Sequence, residues 1–221
     1  MAEGRARGWS ASSEAETADV VLLRHGATRL TSEKRFSGVG AGDPGLSVAG
    51  LDQARRAARS PLLRRGTFVE VLCSPMTRCR ETAELVAAEL DLPVRIEAGL
   101  REMDFGLWEG MTFDEVQDRY PDDLREWKQS PDAAPTGSTA TFAAVLERTA
   151  TLARALTTRY ADSSVLAVTH VTPIKALVAA ALGAPPQSLF RMELSAACYS
   201  RIAYTGEEAS VKLLNDTSHL Y

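Results

Sequence analysis

Four short apolar runs, each stopped by a polar or turn-forming cluster and then followed by helix-like sequence, limit what this chain can fold into. They are "DVVLLRHG" from residue 19, "FVEVLCSP" from 68, the weaker "PVRIEAG" from 93 and "SSVLAVTH" from 163. Runs of this length bounded by turn signals read as strands buried on both faces, as parallel sheets require. Helix-like stretches lie between them. "LSVAGLDQARRAARSPLL" has Ser47 as its N-cap, and "SPMTRCRETAELVAAEL" has Ser74 as cap with Pro75 in the first turn. "VTPIKALVAAAL" starts from Thr172 and Pro173. Residues 112–129 read as one or two short helices broken at Pro121, and 139–160 as a long amphipathic helix. Two late strands, "ACYSRIAYT" and "ASVKLLND", flank the turn "GEE". Such alternation predicts a three-layer α/β/α sandwich around a mostly parallel sheet. Residues 1–18 are polar, small and aperiodic, and are expected to be a disordered leader or interdomain linker. Residues 19–221 form one domain, with no repeat and no second core.

Composition removes several function classes. The net charge of -4 over 221 residues leaves no overall basic footprint, so direct nucleic-acid binding is not expected. No apolar run approaches the roughly 20 residues of a membrane helix. The first residues, "MAEGRARGWSASSEAET", lack the apolar core of a secretory signal. Cys73, Cys79 and Cys198 are an odd number without a disulfide pattern, which fits reduced thiols in the cytoplasm. They miss the zinc spacings, and His25, His170 and His219 are too scattered to form a histidine pair, so no metal site is expected.

In open parallel sheets, ligands bind outside the carboxyl ends of the strands. Those ends carry Arg24-His25-Gly26, Ser74-Pro75 leading to Arg78, and Thr169-His170. Arg78 falls in the first turn of a helix, where the macrodipole disfavours a cation, and a bound anion would explain it. Two arginines and two histidines around one sheet edge describe a phosphate pocket with a nucleophile inside. Neutral imidazole can attack phosphorus near neutral pH to give a phosphohistidine, and a nearby carboxylic acid must protonate the leaving alkoxide. "REMDFGLWEG" offers Glu102, Asp104 and Glu109 for that task, and pattern alone does not choose among them. Rival chemistries fail on spacing. A cysteine-dependent phosphatase needs arginine six residues after its cysteine, and Cys79 stands six after Cys73. "SGVGAGDPG" lacks the Gly-Lys-Ser/Thr of a phosphate-binding loop, and no Gly-x-Ser-x-Gly occurs.

Five blocks in order, "LLRHGAT", "FSGVGAGDPGLSVAGLDQA", "LCSPMTRCRET", "LREMDFGLWEGMTFDEV" and "VLAVTHVTPIKAL", resemble the histidine phosphatase superfamily in its phosphoglycerate mutase-like branch. The resemblance spans residues 19–221 and implies a phosphoglycerate mutase-like fold. It implies that His25 is the nucleophile, Glu102 the acid and base, and His170, Arg24 and Arg78 the phosphate-pocket groups. Thr28 and Ser37 match positions that contact phosphate, and Thr31 stands where relatives often have asparagine. The implied activity is a phosphomonoesterase without cofactor, acting on a small phosphate ester. "REMDFGLWEG" resembles acid phosphatases and the cobalamin-associated α-ribazole phosphatases. A phosphotransferase of the mutase type, or a phospho-ligand binder without turnover, are the alternatives. The ending "LNDTSHL", with His219, resembles phosphatase domains fused behind a ribonuclease H domain, which makes such a domain a possible partner and residues 1–18 a linker. The substrate is expected to be chosen by the loop 30–45 and the helical insertion 105–137.

Overall fold

The computed structural model describes residues 16–40 and 42–221. Four strands, β1 (Thr17–Arg24), β2 (Phe68–Cys73), β3 (Val94–Ile96) and β4 (Ser164–Thr169), pair in parallel. Two more, β5 (Tyr199–Thr205) and β6 (Glu208–Asp216), close one side in antiparallel pairing. The sheet order is β3-β2-β4-β1-β5-β6, so β1 and β4 lie at the centre. Most of the leader expected at residues 1–18 lies outside the described residues. Thr17 and Ala18 already belong to β1, which starts before the expected boundary at 19 because the Ala18 side chain is fully buried.

Alternation along the central strands makes three layers. Ala18, Val20 and Leu22 of β1 face one apolar cluster, together with Val165 and Ala167 of β4. Val21 and Leu23 face the other, together with Leu166 and Val168. Each such valine or leucine contributes about 1.5–3 kcal/mol by leaving water, so both faces need covering helices. On one face lie α2 (Val48–Ala58) and α4 (Thr77–Leu90), whose Ala54, Ala57, Ala83 and Val86 are buried. On the other lie α7 (Phe142–Arg159) and α8 (Val171–Ala181).

Short helices complete the chain: α1 (Arg29–Ser32), α3 (Pro61–Arg65), α5 (Phe113–Arg119) and α6 (Pro121–Gln129). The break at Pro121 falls where the sequence puts it. The helix expected over 46–63 is instead α2 and α3, because Ser60 caps a new helix whose first residue is Pro61. Ser47 caps α2 as expected, accepting from the Gly50 N–H. Ser74 does not cap α4: the cap position is Met76, and the Ser74 hydroxyl turns toward His170. The α8 helix begins at Val171 with His170 itself at the cap position, ahead of the expected Thr172 start. Residues 103–145 contribute most of an apolar cluster of their own, built around Phe105, Trp108, Trp127 and Phe142. This third cluster was not expected, since its members are spread thinly along the chain.

Candidate active site

The loop after β1 carries His25 at the sheet edge, where its N–H bonds the Thr169 carbonyl at 3.0 Å. The next residue can only be glycine: a Cβ on Gly26 would stand 2.4 Å from the Gly50 carbonyl oxygen of α2. That close approach fixes the backbone beside the imidazole. His25 Nδ1 lies 2.7 Å from the Gly26 carbonyl. A carbonyl only accepts, so Nδ1 carries the proton and Nε2 is left with its lone pair. Burial holds the His25 pKa well below 6.5, with the charges of Arg24 and then Arg78 pushing the same way, against the Gly26 hydrogen bond. The ring is therefore neutral, with a free Nε2.

His170 meets His25 edge-on, with ring centroids 5.1 Å apart. Its Nε2 is 2.8 Å from Ser74 Oγ, and its pKa also lies well below 6.5, mainly through burial. Both guanidinium groups at the site keep an unpaired donor in the interior. Arg24 spends Nη1 on the Leu194 carbonyl at 2.6 Å, but its Nε is buried and has no partner. Arg78 is fully buried, and its Nη2 donates to the Ser37 and Gly38 carbonyls, both at 3.1 Å. Its Nη1 faces Asp43 at 3.4 Å, while Nε has no partner. Burying unpaired charged donors is costly unless an anion arrives to use them. Burial also lowers the Arg24 pKa, a penalty that an anion would relieve.

Glu102 follows a turn that packs against β4, and is buried. One carboxylate oxygen accepts from the Met103 N–H at 2.8 Å and the other from the Thr172 N–H at 3.3 Å. The second bond docks it on the first turn of α8, directly after His170. Asp104 and Glu109, the other two carboxylates in this block, are spent on backbone. Asp104 accepts from the Gly106 N–H. Glu109 accepts from the N–H groups of Gly38 at 2.8 Å, Gly40 at 3.3 Å and Phe105 at 3.3 Å. Glu109 thereby pins the loop whose carbonyls hold Arg78. That loop is tightly packed, since a Cβ on Gly38 would lie 2.1 Å from the Met103 carbonyl oxygen.

A cavity of about 440 Å³ opens beside this group. Arg24, His25, Ser37 and Glu102 line it, whereas Arg78 and His170 are buried and are not among its lining residues. Thr28 does not line it: the Thr28 side chain caps α1 by accepting from the Thr31 N–H at 3.2 Å, and Thr31 itself lines the cavity. Both segments expected to choose the substrate contribute walls, with Lys34, Arg35 and Phe36 from the first and Phe105, Phe113 and Trp127 from the second. Phe142, Phe190 and Lys175 come from outside them. Sequence reasoning did not find these, because no local pattern marks a ring or an ammonium that meets a pocket only after folding. Among the described residues no three His, Cys, Asp or Glu side chains gather as a metal site requires, and no helix is long and apolar enough to cross a membrane. His219 lies apart from the cavity lining, with Nε2 3.0 Å from the Ala197 carbonyl and its ring against Tyr199.

A protein of Mycobacterium tuberculosis named as bifunctional is 39% identical over 214 residues, which cover 96% of this chain. The chain spans only 57% of that relative's length. Phosphoserine phosphatase 1 of Hydrogenobacter thermophilus is 29% identical over 91% of this chain and 93% of its own. The crystal structure of the alpha-ribazole phosphatase from Shigella flexneri superimposes with a TM-score of 0.76 at 28% identity, covering 90% of this chain and 96% of that one. The family model described as histidine phosphatase superfamily, branch 1, matches residues 20–217, and the chain belongs to that family.

Proposed function

We propose that this protein is a phosphomonoesterase that works through a phosphohistidine on His25. The observation that carries the reading is the neutral His25, its Nε2 free, set beside two buried guanidinium groups that each keep an unpaired Nε–H. A phosphoryl group placed there supplies what both arginines lack. His25 Nε2 attacks phosphorus as the ester oxygen departs. Glu102 hands its proton to that oxygen, so an alcohol leaves rather than an alkoxide. Water then attacks the phosphohistidine while Glu102 takes its proton back, and phosphate and neutral His25 are restored. Arg24 and Arg78 carry the charge on the equatorial oxygens, the task a metal ion performs in other phosphoryl transfers, and His170 completes the polar floor behind the nucleophile. Ser37 stands at the cavity wall within reach of the bound group.

The leaving alcohol occupies the remaining cavity, whose walls are largely aromatic. That lining supports a small ester with a ring-bearing or apolar alcohol. α-Ribazole 5'-phosphate belongs to that class and heads the esters to test, followed by general acid-phosphatase substrates. The assay is hydrolysis of p-nitrophenyl phosphate by the wild-type protein and by His25→Ala. Loss of roughly 10³-fold or more in kcat is expected when a nucleophile is removed. A His25→Ala protein that retained the parental rate would overturn the proposal.

A further inference from the structure

Charge around the cavity is uneven. Four cationic side chains line it, Arg24, Lys34, Arg35 and Lys175, against the single carboxylate of Glu102. Arg35 is committed elsewhere, in salt bridges to Glu33 at 2.8 Å and Glu115 at 2.7 Å. Arg24 belongs to the phosphoryl site. Lys34 is exposed at the rim. Lys175 is different: it is half-buried, and it makes no hydrogen bond or ion pair among the described residues. Partial burial lowers its pKa, opposed by the charges of Glu102 and Glu193 and reinforced by that of Arg24. An ammonium partly withdrawn from water with no protein acceptor is better stabilised when a ligand supplies one.

Its position says which part of a substrate it meets. Val171, Thr172 and Lys175 all line the cavity, as the i+3 and i+4 spacing of α8 requires. The Thr172 N–H holds Glu102, so Lys175 stands one turn beyond the acid. Lys175 therefore lies on the Glu102 side of the cavity. Since Glu102 protonates the departing oxygen, that is the side of the leaving alcohol.

We propose that Lys175 reads a carboxylate on the leaving alcohol, so that the preferred substrates are phosphate monoesters of ring-bearing or apolar alcohols that also carry a carboxylate. This rests on the phosphatase reading given above. A carboxylate is favoured over a second phosphate because a lone ammonium offers one positive charge, which one carboxylate balances, whereas a second phosphate monoester would bring about −1.5 to −2. The aromatic walls and a volume of about 440 Å³ leave room for a ring between the two charged ends.

The test compares 4-carboxyphenyl phosphate with 4-carbamoylphenyl phosphate, which has nearly the same shape and no charge on the ring substituent. The wild-type protein is expected to favour the carboxylate in kcat/KM by about tenfold, the scale of one charge-assisted hydrogen bond. In Lys175→Gln that preference collapses to about one, and in Lys175→Arg, which keeps the charge, most of it survives. A wild-type preference near one, or a preference that persists in Lys175→Gln, overturns the inference. The wild-type comparison needs no variant, so poor folding of Lys175→Gln does not decide the matter. Hydrolysis of both esters without preference sinks this inference and leaves the phosphatase reading standing. No His25-dependent hydrolysis of either ester sinks both.

Discussion

The imidazole rings of His25 and His170 meet edge-on, 5.1 Å between centroids and inclined by 64°. Each lowers its tendency to ionise by being buried, and the two guanidinium groups nearby oppose protonation of both. The pair is therefore stable only as two neutral rings, and this governs how the protein responds to acid.

The sign follows from the depressed folded pKa values. Above about pH 6.5, the ordinary histidine value, both folded and unfolded chains hold these rings neutral. Below it the unfolded chain takes up protons that the folded chain refuses, so stability falls as pH drops toward the lowered folded values. Thermal melts between pH 7.5 and 4.5, read by circular dichroism, should show a falling Tm, and the double variant His25→Asn/His170→Asn should show a shallower fall. A double variant with an undiminished slope would contradict the assignment.

The same shift keeps His25 nucleophilic in mild acid. The acid limb of kcat/KM is expected to lie below pH 6.5, because burial and the charges of Arg24 and Arg78 hold His25 neutral there. A pH–rate profile whose acid limb fell at or above pH 6.5 would contradict the neutral state given to His25.

Arg78 uses a planar fork: Nη2 donates to two loop carbonyls while Nε stays unpaired in the interior. A lysine cannot reproduce that geometry. Arg78→Lys is therefore expected to lose roughly 10²-fold or more in kcat/KM, in the range found when one preorganised donor to a transition state is removed. Steady-state kinetics with p-nitrophenyl phosphate measures it; a loss below threefold would mean that Arg78 is not aimed at the transferred group.

Glu109 acts on Arg78 at one remove, through the Gly38 and Gly40 N–H groups. Glu109→Gln keeps the shape but weakens charge-assisted bonds worth about 1.5–3 kcal/mol each. Looser carbonyls at Ser37 and Gly38 should misplace Arg78 and lower kcat/KM about tenfold, since small displacements at a phosphoryl site are expensive. Because the effect runs through Arg78, it should largely vanish in an Arg78→Lys background. Additive losses would show instead that Glu109 serves stability alone.

Ser74 Oγ is the close partner of His170 Nε2, and both atoms are buried. Ser74→Ala leaves that nitrogen only the weaker contact to Cys79 Sγ at 3.4 Å, which is expected to cost about 1–3 kcal/mol. Urea unfolding should report the loss, and kcat should fall more than KM rises if the ring also turns away from His25. An unchanged midpoint would mean the bond contributes nothing net.

Much of this could be read from local sequence. The central strands β1, β2 and β4 and the break before Pro121 are legible because their signals, apolar runs and a missing N–H, act over a few residues. The family follows from five ordered blocks and the matching model over residues 20–217. Cap residues were less legible. Ser74 has the right chemistry for a helix cap, but a buried imidazole within 2.8 Å competes for the same hydroxyl. Thr28, expected at phosphate, is also the N-cap of α1, its hydroxyl accepting from the Thr31 N–H at 3.2 Å.

What the chain alone determined, then, is the order of strands and helices and the identity of the groups at the sheet edge. These depend on periodicity, turn chemistry and residue type, all local properties. Only the tertiary structure decided that Glu102 rather than Asp104 or Glu109 lines the cavity, that Glu109 clamps the loop around Arg78, and that six aromatic rings and Lys175 share one cavity. Those facts join residues as far apart as Phe36 and Phe190, and distance along the chain carries no record of which of them will meet.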